Sequence, residues 1–374
     1  MMLKNKLALA IIAVGISTQA AAVEIGEFNG TQLSIGGYVK AEGIVDMPDD
    51  GDQDFEGSMR QTRLNVSAKR KIQGHNVKAF VEGDFWDNNM TDSDSTYALR
   101  LRHAYIGVDN FTIGQTWNGQ FFANAPFDVE MVNFWGLGTG TIAGNGAVVR
   151  PDLGIHYTLG GLRLTLQDPV YDQAGFPDMV AAYTYRTGGH AFNLAVTGRE
   201  VGVDDALGNG GDDTEFGAAI SAAAKLQFAD TTLAFSAFTG EGAGVYAGWG
   251  YNGAYGPNQE TDVNSETGDL IKTTGFSAGV TQKFMDNLRG TIRYGQVESD
   301  EINTGAGIGP QPVDDTLKMV NVNLIYTYLP GLDLGIEWRD QNAGTRVAGG
   351  PNDPASSSMR PKGQQVELFA KYSF

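Results

Sequence analysis

YALRLRHAY, residues 97–105, sets Leu99 and Leu101 in strict alternation with Arg100 and Arg102. A β-strand sends successive side chains to opposite faces, so Leu99, Leu101 and Tyr105 share one face and the two arginines the other. His103 falls on the leucine phase. One short segment thus asks for two different solvents. A membrane barrel supplies both, hydrocarbon outside and water within. Slipping such a strand by one residue would carry each arginine into lipid at a cost of about 2–4 kcal/mol near the midplane. The expected direction is therefore leucines to lipid and arginines to the lumen.

The same period-two pattern recurs along the chain. Sixteen segments carry it: 31–46, 57–71, 75–86, 96–108, 111–117, 148–158, 161–168, 178–186, 190–201, 214–228, 231–245, 271–285, 288–300, 314–328, 332–343 and 362–374. Short connections rich in Gly, Asn and Asp, at 73–75, 109–110, 160–161, 188–189, 229–230, 286–287 and 330–331, suit tight hairpins. Between them lie longer, mostly acidic loops such as DMPDDGDQDFEG (46–57). An even strand count with alternating short and long connections predicts an all-β fold, a sixteen-stranded antiparallel transmembrane barrel with both termini at the periplasmic side. A soluble sandwich could explain one apolar face. It would not collect aromatics at the strand ends, as in VNVNLIYTY (320–328), nor place Tyr372 and the terminal Phe374 on the apolar face of VELFAKYSF.

The N-terminus reads MMLKNKLALAIIAVGISTQAAAVEI, with Lys4 and Lys6 before a short apolar run and Ala20–Ala22. This is the form of a secretory signal over 1–22, leaving 23–374 as the barrel domain. The formal charge is −18, and loss of two lysines takes it to −20, which argues against nucleic acid as a partner. With no cysteine, disulfides and thiolate chemistry are excluded, and the architecture must rest on hydrogen bonds.

Applying the strand phase elsewhere places Lys40, Arg63, Lys78, Arg150, Arg163, Lys225, Arg289, Arg293, Arg339 and Lys371 inside with Arg100 and Arg102. The inner acids are Glu42, Glu82, Asp84, Asp152, Asp333, Glu337 and Glu367. The wall is net basic although the chain is acidic, because the acids concentrate in loops. Residues 118–147, NGQFFANAPFDVEMVNFWGLGTGTIAGNGA, break the alternation and are too apolar to stand in water. They are expected to fold into the barrel as a constriction loop, with Asp128 and Glu130 facing the basic wall. A lumen lined by uncompensated cations would prefer anions; arginines fully engaged by the acids opposite would only brace the wall.

Three stretches, RQTRLNVSAKRKI (60–72), NVKAFVEGDFW (76–86) and YALRLRHAYIGVDNFTIGQTW (97–117), resemble the DcaP-like porin family of Gram-negative outer membranes. The similarity is clearest over 31–160. It implies a trimeric sixteen-stranded porin associated with uptake of dicarboxylates and other small anions, with Arg63, Arg100, Arg102, Glu82 and Asp84 lining the pore near the constriction. Some members carry a helical extension before the barrel; here the first strand is expected about ten residues after the signal.

Other chemistry is thinly represented. The histidines, His75, His103, His156 and His190, come with no G-x-S-x-G or comparable motif, so no catalytic residue is expected and the chain is not read as an enzyme. Asp50, Asp52 and Asp54 resemble the start of a calcium loop, but Phe55 stands where that loop needs Gly and Gln61 where it needs Glu, which favours a solvated acidic loop. Tyr246, Trp249, Tyr251 and Tyr255 could stack on sugars or pack as a surface loop. The expected function is an outer-membrane diffusion porin preferring small organic anions, without cofactor, with lipid and lipopolysaccharide around it. The alternatives are a general or carbohydrate-tolerant porin and a plugged surface-recognition barrel.

Overall fold

The computed structural model describes residues 22–87, 98–132, 150–170, 174–203, 213–247, 262–264, 267–300, 316–342, 345–346, 359–360 and 362–374. All of the expected leader except Ala22 lies outside them, as do 133–149 of the inward segment and Trp249, Tyr251 and Tyr255.

The wall begins with β1 (Val23–Phe28), β2 (Thr31–Pro48), β3 (Asp54–Ser58), β4 (Arg63–Ile72), β5 (His75–Asp87), β6 (Ala98–Val108) and β7 (Phe111–Gln115). A short helix, α1 (Gly119–Asn124), follows inside the barrel. The wall resumes with β8 (Gly154–Leu159), β9 (Leu162–Gln167), β10 (Asp178–Thr187), β11 (His190–Gly202), β12 (Thr214–Phe228) and β13 (Thr231–Glu241). It continues with β14 (Lys272–Met285), β15 (Leu288–Ser299), β16 (Thr316–Leu329) and β17 (Leu332–Gln341). Two-residue strands β18 (Thr345–Arg346) and β19 (Met359–Arg360) pair with each other, and β20 (Gly363–Ser373) completes the wall.

Every pairing is antiparallel, and β20 pairs with both β17 and β2, which closes the sheet. The eighteen strands of this sheet make sixteen staves, because two staves are each built from two strands. β3 and β4 succeed one another along the same side of β2, separated by a turn in which Thr62 N–H donates to Met59 O. On the other side, β2 pairs with β20 over Tyr38–Pro48 and with β1 over Thr31–Ile35, so the chain's last strand is continued in line by its first. Gly37 marks the junction at φ 145°, where an added Cβ would sit 2.1 Å from Arg63 O. Only glycine lets the backbones approach so closely there.

The observed staves follow the sixteen expected segments closely. Three local differences have physical causes. β1 was unread because a bulge at Gly26 breaks its alternation, although Asn29-Gly30 is a hairpin turn with positive φ at both residues. β8 begins only at Gly154, so Arg150 and Asp152 precede the strand and the phase rule does not apply to them. β13 ends at Glu241, where Gly242 at φ 64° turns the chain inward.

Burial is reversed relative to a soluble protein. Lys40, Asp84, Arg102, Arg199, Arg293, Glu337 and Glu367 are buried, while Leu99, Ile106, Leu194, Ile220, Phe276, Ile292 and Leu368 are exposed. Tyr183, Tyr185, Tyr326, Tyr328 and Tyr372 stand exposed near the short turns. An apolar belt with an aromatic rim outside and hydrogen-bonded charge inside is stable only across a bilayer, and a closed barrel spans it with no unpaired edge.

Candidate functional site

The first feature of the lumen is a fault in the strand that carries the alternating arginines. Glu82 pairs with His103 but Gly83 pairs with Leu101, leaving Arg102 as the extra residue of a β-bulge. The bulge shifts the phase by one. Leu99 and Leu101 face out as expected, at 64% and 47% exposure, and Arg102 is buried at 1%. Beyond the bulge the expectation fails: His103 is inward, with Nδ1 3.1 Å from Thr116 Oγ1 and its ring edge-on to Trp117. Tyr105 is inward too, its hydroxyl accepting from Lys78 Nζ at 2.9 Å, and Ile106 takes the lipid-facing place.

The fault gathers charge. Arg100 donates to both oxygens of Asp84, from Nε at 3.0 Å and from Nη2 at 2.8 Å. Arg102 donates to Asp84 Oδ2 at 2.6 Å and to Glu82 Oε1 at 3.0 Å. Arg63 lies opposite Asp84 in the next strand, over the Tyr38 ring. Arg150 stands 4.7 Å over the Trp117 ring, within the field of Arg63, Arg100 and Arg102. Among the described residues, Arg100 and Arg102 thus engage the Glu82 and Asp84 carboxylates, with Arg63 and Arg150 close by.

The second feature is the inward segment, described over 118–132. Asn118 caps α1, its Oδ1 accepting from Phe121 N–H, and Gly119 N–H donates to Gln167 Oε1. The chain then runs along the inner wall from β9 to β2. Gln120 bonds Thr197 and Ser221, Ala123 packs on Ala182 and Ala195, and Phe127 on Ala191 and Ala223. Small inner residues leave the groove it occupies: a Cβ on Gly279 would meet Val129 Cγ2 at 2.7 Å.

Its acids meet the basic wall. Asp128 accepts from Arg293 Nε at 2.9 and 3.1 Å, and its carbonyl accepts from Lys225 Nζ at 2.9 Å. Glu130 takes a two-pronged bond from Arg289, at 2.5 and 2.6 Å, and Arg289 reaches on to Asp333 at 3.1 Å. At the far end Val132 N–H donates to Glu337 Oε2 and Val132 O accepts from Lys40 Nζ, which also contacts Glu42 and Glu367.

Lys78, Arg150, Arg163, Lys225 and Lys371 have no carboxylate partner among the described residues. Arg163 stacks on Phe122 at 4.0 Å, and Lys371 lies over Tyr38. Arg339 Nη2 donates to Gln365 Oε1 at 2.6 Å. Asp152 is exposed before β8. Asp54 Oδ1 accepts from Phe55 N–H, and no group of three or more potential metal ligands forms among the described residues.

One inner charge, Arg199, is absent from the sequence-derived wall set, and Tyr246 meets the packed of its two expectations. Arg199 is fully buried between Asp178 and Asp262, and Tyr246 is a packed residue bonded to Asp178 and Gln167, not a free sugar platform. Arg199 sits between Gly198 and Glu200, where no apolar neighbour sets the phase. Inner-face alanines on β10 to β13 were a legible sign that something covers that wall.

No known protein-family model and no curated protein matches the chain. Solved structures do. The outer membrane channel DcaP of Acinetobacter baumannii matches with a TM-score of 0.70 at 20% identity, over 93% of this chain and 99% of that one. The anion-selective porin from Comamonas acidovorans gives 0.62 at 12% identity, over 92% and 100%. The trimer form of OmpT, an outer membrane protein of Vibrio cholerae, gives 0.58 at 14%, over 92% and 100%. Closed topology, an apolar belt, an inward-folded segment and these likenesses agree: the chain has the sixteen-stranded transmembrane barrel fold of the outer-membrane porins, similar to that of the DcaP channel.

Proposed function

We propose that the protein is a passive diffusion porin, not an enzyme, with a lumen that favours small organic anions such as dicarboxylates. The observation that carries this reading is the gathering of Lys78, Arg150 and Arg163, which have no carboxylate partner among the described residues, on the same wall as Arg63, Arg100 and Arg102. One uncompensated charge about 6 Å from a passing anion contributes roughly 0.7 kcal/mol in bulk water and roughly 3 kcal/mol at an effective dielectric near 20. The lumen lies between these limits. Lys78, Arg150 and Arg163 acting together would favour anions by about tenfold or more.

A general porin without selectivity is the second reading, favoured by the engagement of Arg289 with Glu130 and of Arg293 with Asp128. Planar-bilayer conductance with a salt-gradient reversal potential separates the two. Anion preference that falls in Arg150→Ala and Arg163→Ala is the expected result. Absence of conductance would remove the channel reading, and cation preference would remove the anion reading. Export by a signal over 1–22, assembly as a homotrimer and contact with lipopolysaccharide complete the proposal.

A further inference from the structure

The β13–β14 connection enters the barrel mouth. After Gly242, residues Ala243, Val245, Tyr246 and Ala247 are fully buried. Val245 and Tyr246 form one apolar cluster with Ala219, Phe238, Val297 and Leu317, which are inward positions at the long-loop ends of β12, β13, β15 and β16. Deeper in the lumen Ser221 on β12, Ser277 on β14, Arg293 on β15 and Asn321 on β16 turn inward. The apolar wall at the mouth is thus built to be covered.

A polar latch holds the cover. Arg199 Nη1 donates to Asp262 Oδ2 at 2.5 Å, its Nη2 donates to Val170 O at 2.7 Å, and its Nε lies 3.5 Å from Asp178 Oδ1. Asp262 Oδ1 accepts from Val245 N–H, and Tyr246 Oη donates to Asp178 Oδ2 at 2.5 Å while accepting from Gln167 Nε2. Arg199 therefore ties both arms of the connection, 243–247 and 262–264, to β10 and β11. A buried guanidinium between two carboxylates is costly to break, because removal of the cation leaves uncompensated buried charge.

We infer that the latched arms 243–247 and 262–264 form a second sieve, in series with the 118–132 segment and nearer the mouth, with Arg199 as the positioning residue. It fills the β9–β16 side of the entrance, so solute enters beside the opposite wall, where Arg63, Arg100 and Arg102 lie. The described arms turn an apolar surface toward the wall, and their one charged residue, Asp262, is paired with Arg199, so they restrict size and leave charge preference to the wall. The inference rests on the porin reading.

The test uses liposome swelling with neutral sugars from mono- to tetrasaccharide, beside the reversal potential in bilayers. Arg199→Ala should raise the trisaccharide-to-monosaccharide rate ratio by about threefold or more, with Arg199→Lys recovering part of the restriction and the reversal potential unchanged. Heat-modifiable gel mobility reports whether each barrel is folded. Should Arg199→Ala fail to fold, Tyr246→Phe, which loses two hydrogen bonds and keeps the ring, carries the same expectation at smaller size. A wild type that swells while the folded variant keeps the wild-type ratio overturns the sieve alone. A wild type that passes no solute overturns the porin reading, and the sieve with it.

Discussion

Replacing Glu130 by Gln separates bracing from lining at the inward segment. Glu130 and Arg289 are 16% and 17% exposed and share bonds of 2.5 and 2.6 Å. Charge-assisted bonds contribute about 1.5–3 kcal/mol each. Gln keeps one acceptor, and Arg289 keeps Asp333 and Thr327, so the net loss is about 2 kcal/mol. Other attachments remain, among them Arg293 to Asp128, Lys225 to Asp128 O, Asn323 to Glu130 O, and Glu337 and Lys40 to Val132. The segment therefore stays seated in Glu130→Gln, and single-channel conductance changes little. The reversal potential moves toward anions, because removing a carboxylate unmasks Arg289; at about 6 Å this is worth roughly 0.7–3 kcal/mol, at least about threefold in the permeability ratio. In Asp128→Asn with Glu130→Gln, Arg293 loses a partner while fully buried, a further cost of about 3–5 kcal/mol. Now the middle of the segment loosens between its remaining backbone anchors, and conductance rises with added noise. An unchanged reversal potential in the single variant, with unchanged conductance in the double one, would refute the placement of this segment beside the ion path.

Leu101→Arg places a charge on the lipid face and should destabilise the folded barrel by about 2–4 kcal/mol, seen as a lower unfolding midpoint in lipid vesicles; equal stability would mean that this face does not meet hydrocarbon. At the β6–β7 turn, bonds from His75 and Asn76 N–H hold the Asp109 carboxyl below the usual carboxylate range. Its folded pKa is depressed, so its contribution is present above the unfolded value near 4 and is lost as pH falls through the folded one. Thermal unfolding between about pH 5 and 2 should therefore steepen less with acid in Asp109→Asn than in the wild type; identical profiles would discount the turn.

Stave number, hairpin turns and facing of most wall charges were legible because a period of two, repeated between turn residues, is a local signal. LRLRHAY hid its bulge because the alternation of Leu and Arg continues to Arg102 while the extra residue is registered only against Glu82 and Gly83, twenty residues upstream. That is why His103 and Tyr105 were assigned to the wrong side. The inward course of 118–132 could be read from its apolar composition, but its partners could not, since Arg289, Asn323 and Glu337 lie some 160 to 205 residues away. Arg199 and Tyr246 belong to a contact made only once the wall has curved, and nothing in TGRE or YAG announces it.

The seam at β2 bears on biogenesis. Strand β2 has its final neighbour only when β20 arrives, and Phe374 exchanges backbone bonds with Gly37 in both directions. Until residues 363–373 are delivered, the sheet carries two raw edges, β17 and β2, separated by nearly the whole chain. Open edges are templates for pairing with other chains. Any partly assembled wall that lacks β20 therefore offers both edges to other chains. A truncation of one stave at the C-terminus costs more than one strand's bonds, because it leaves the first-made part of the wall unpaired as well.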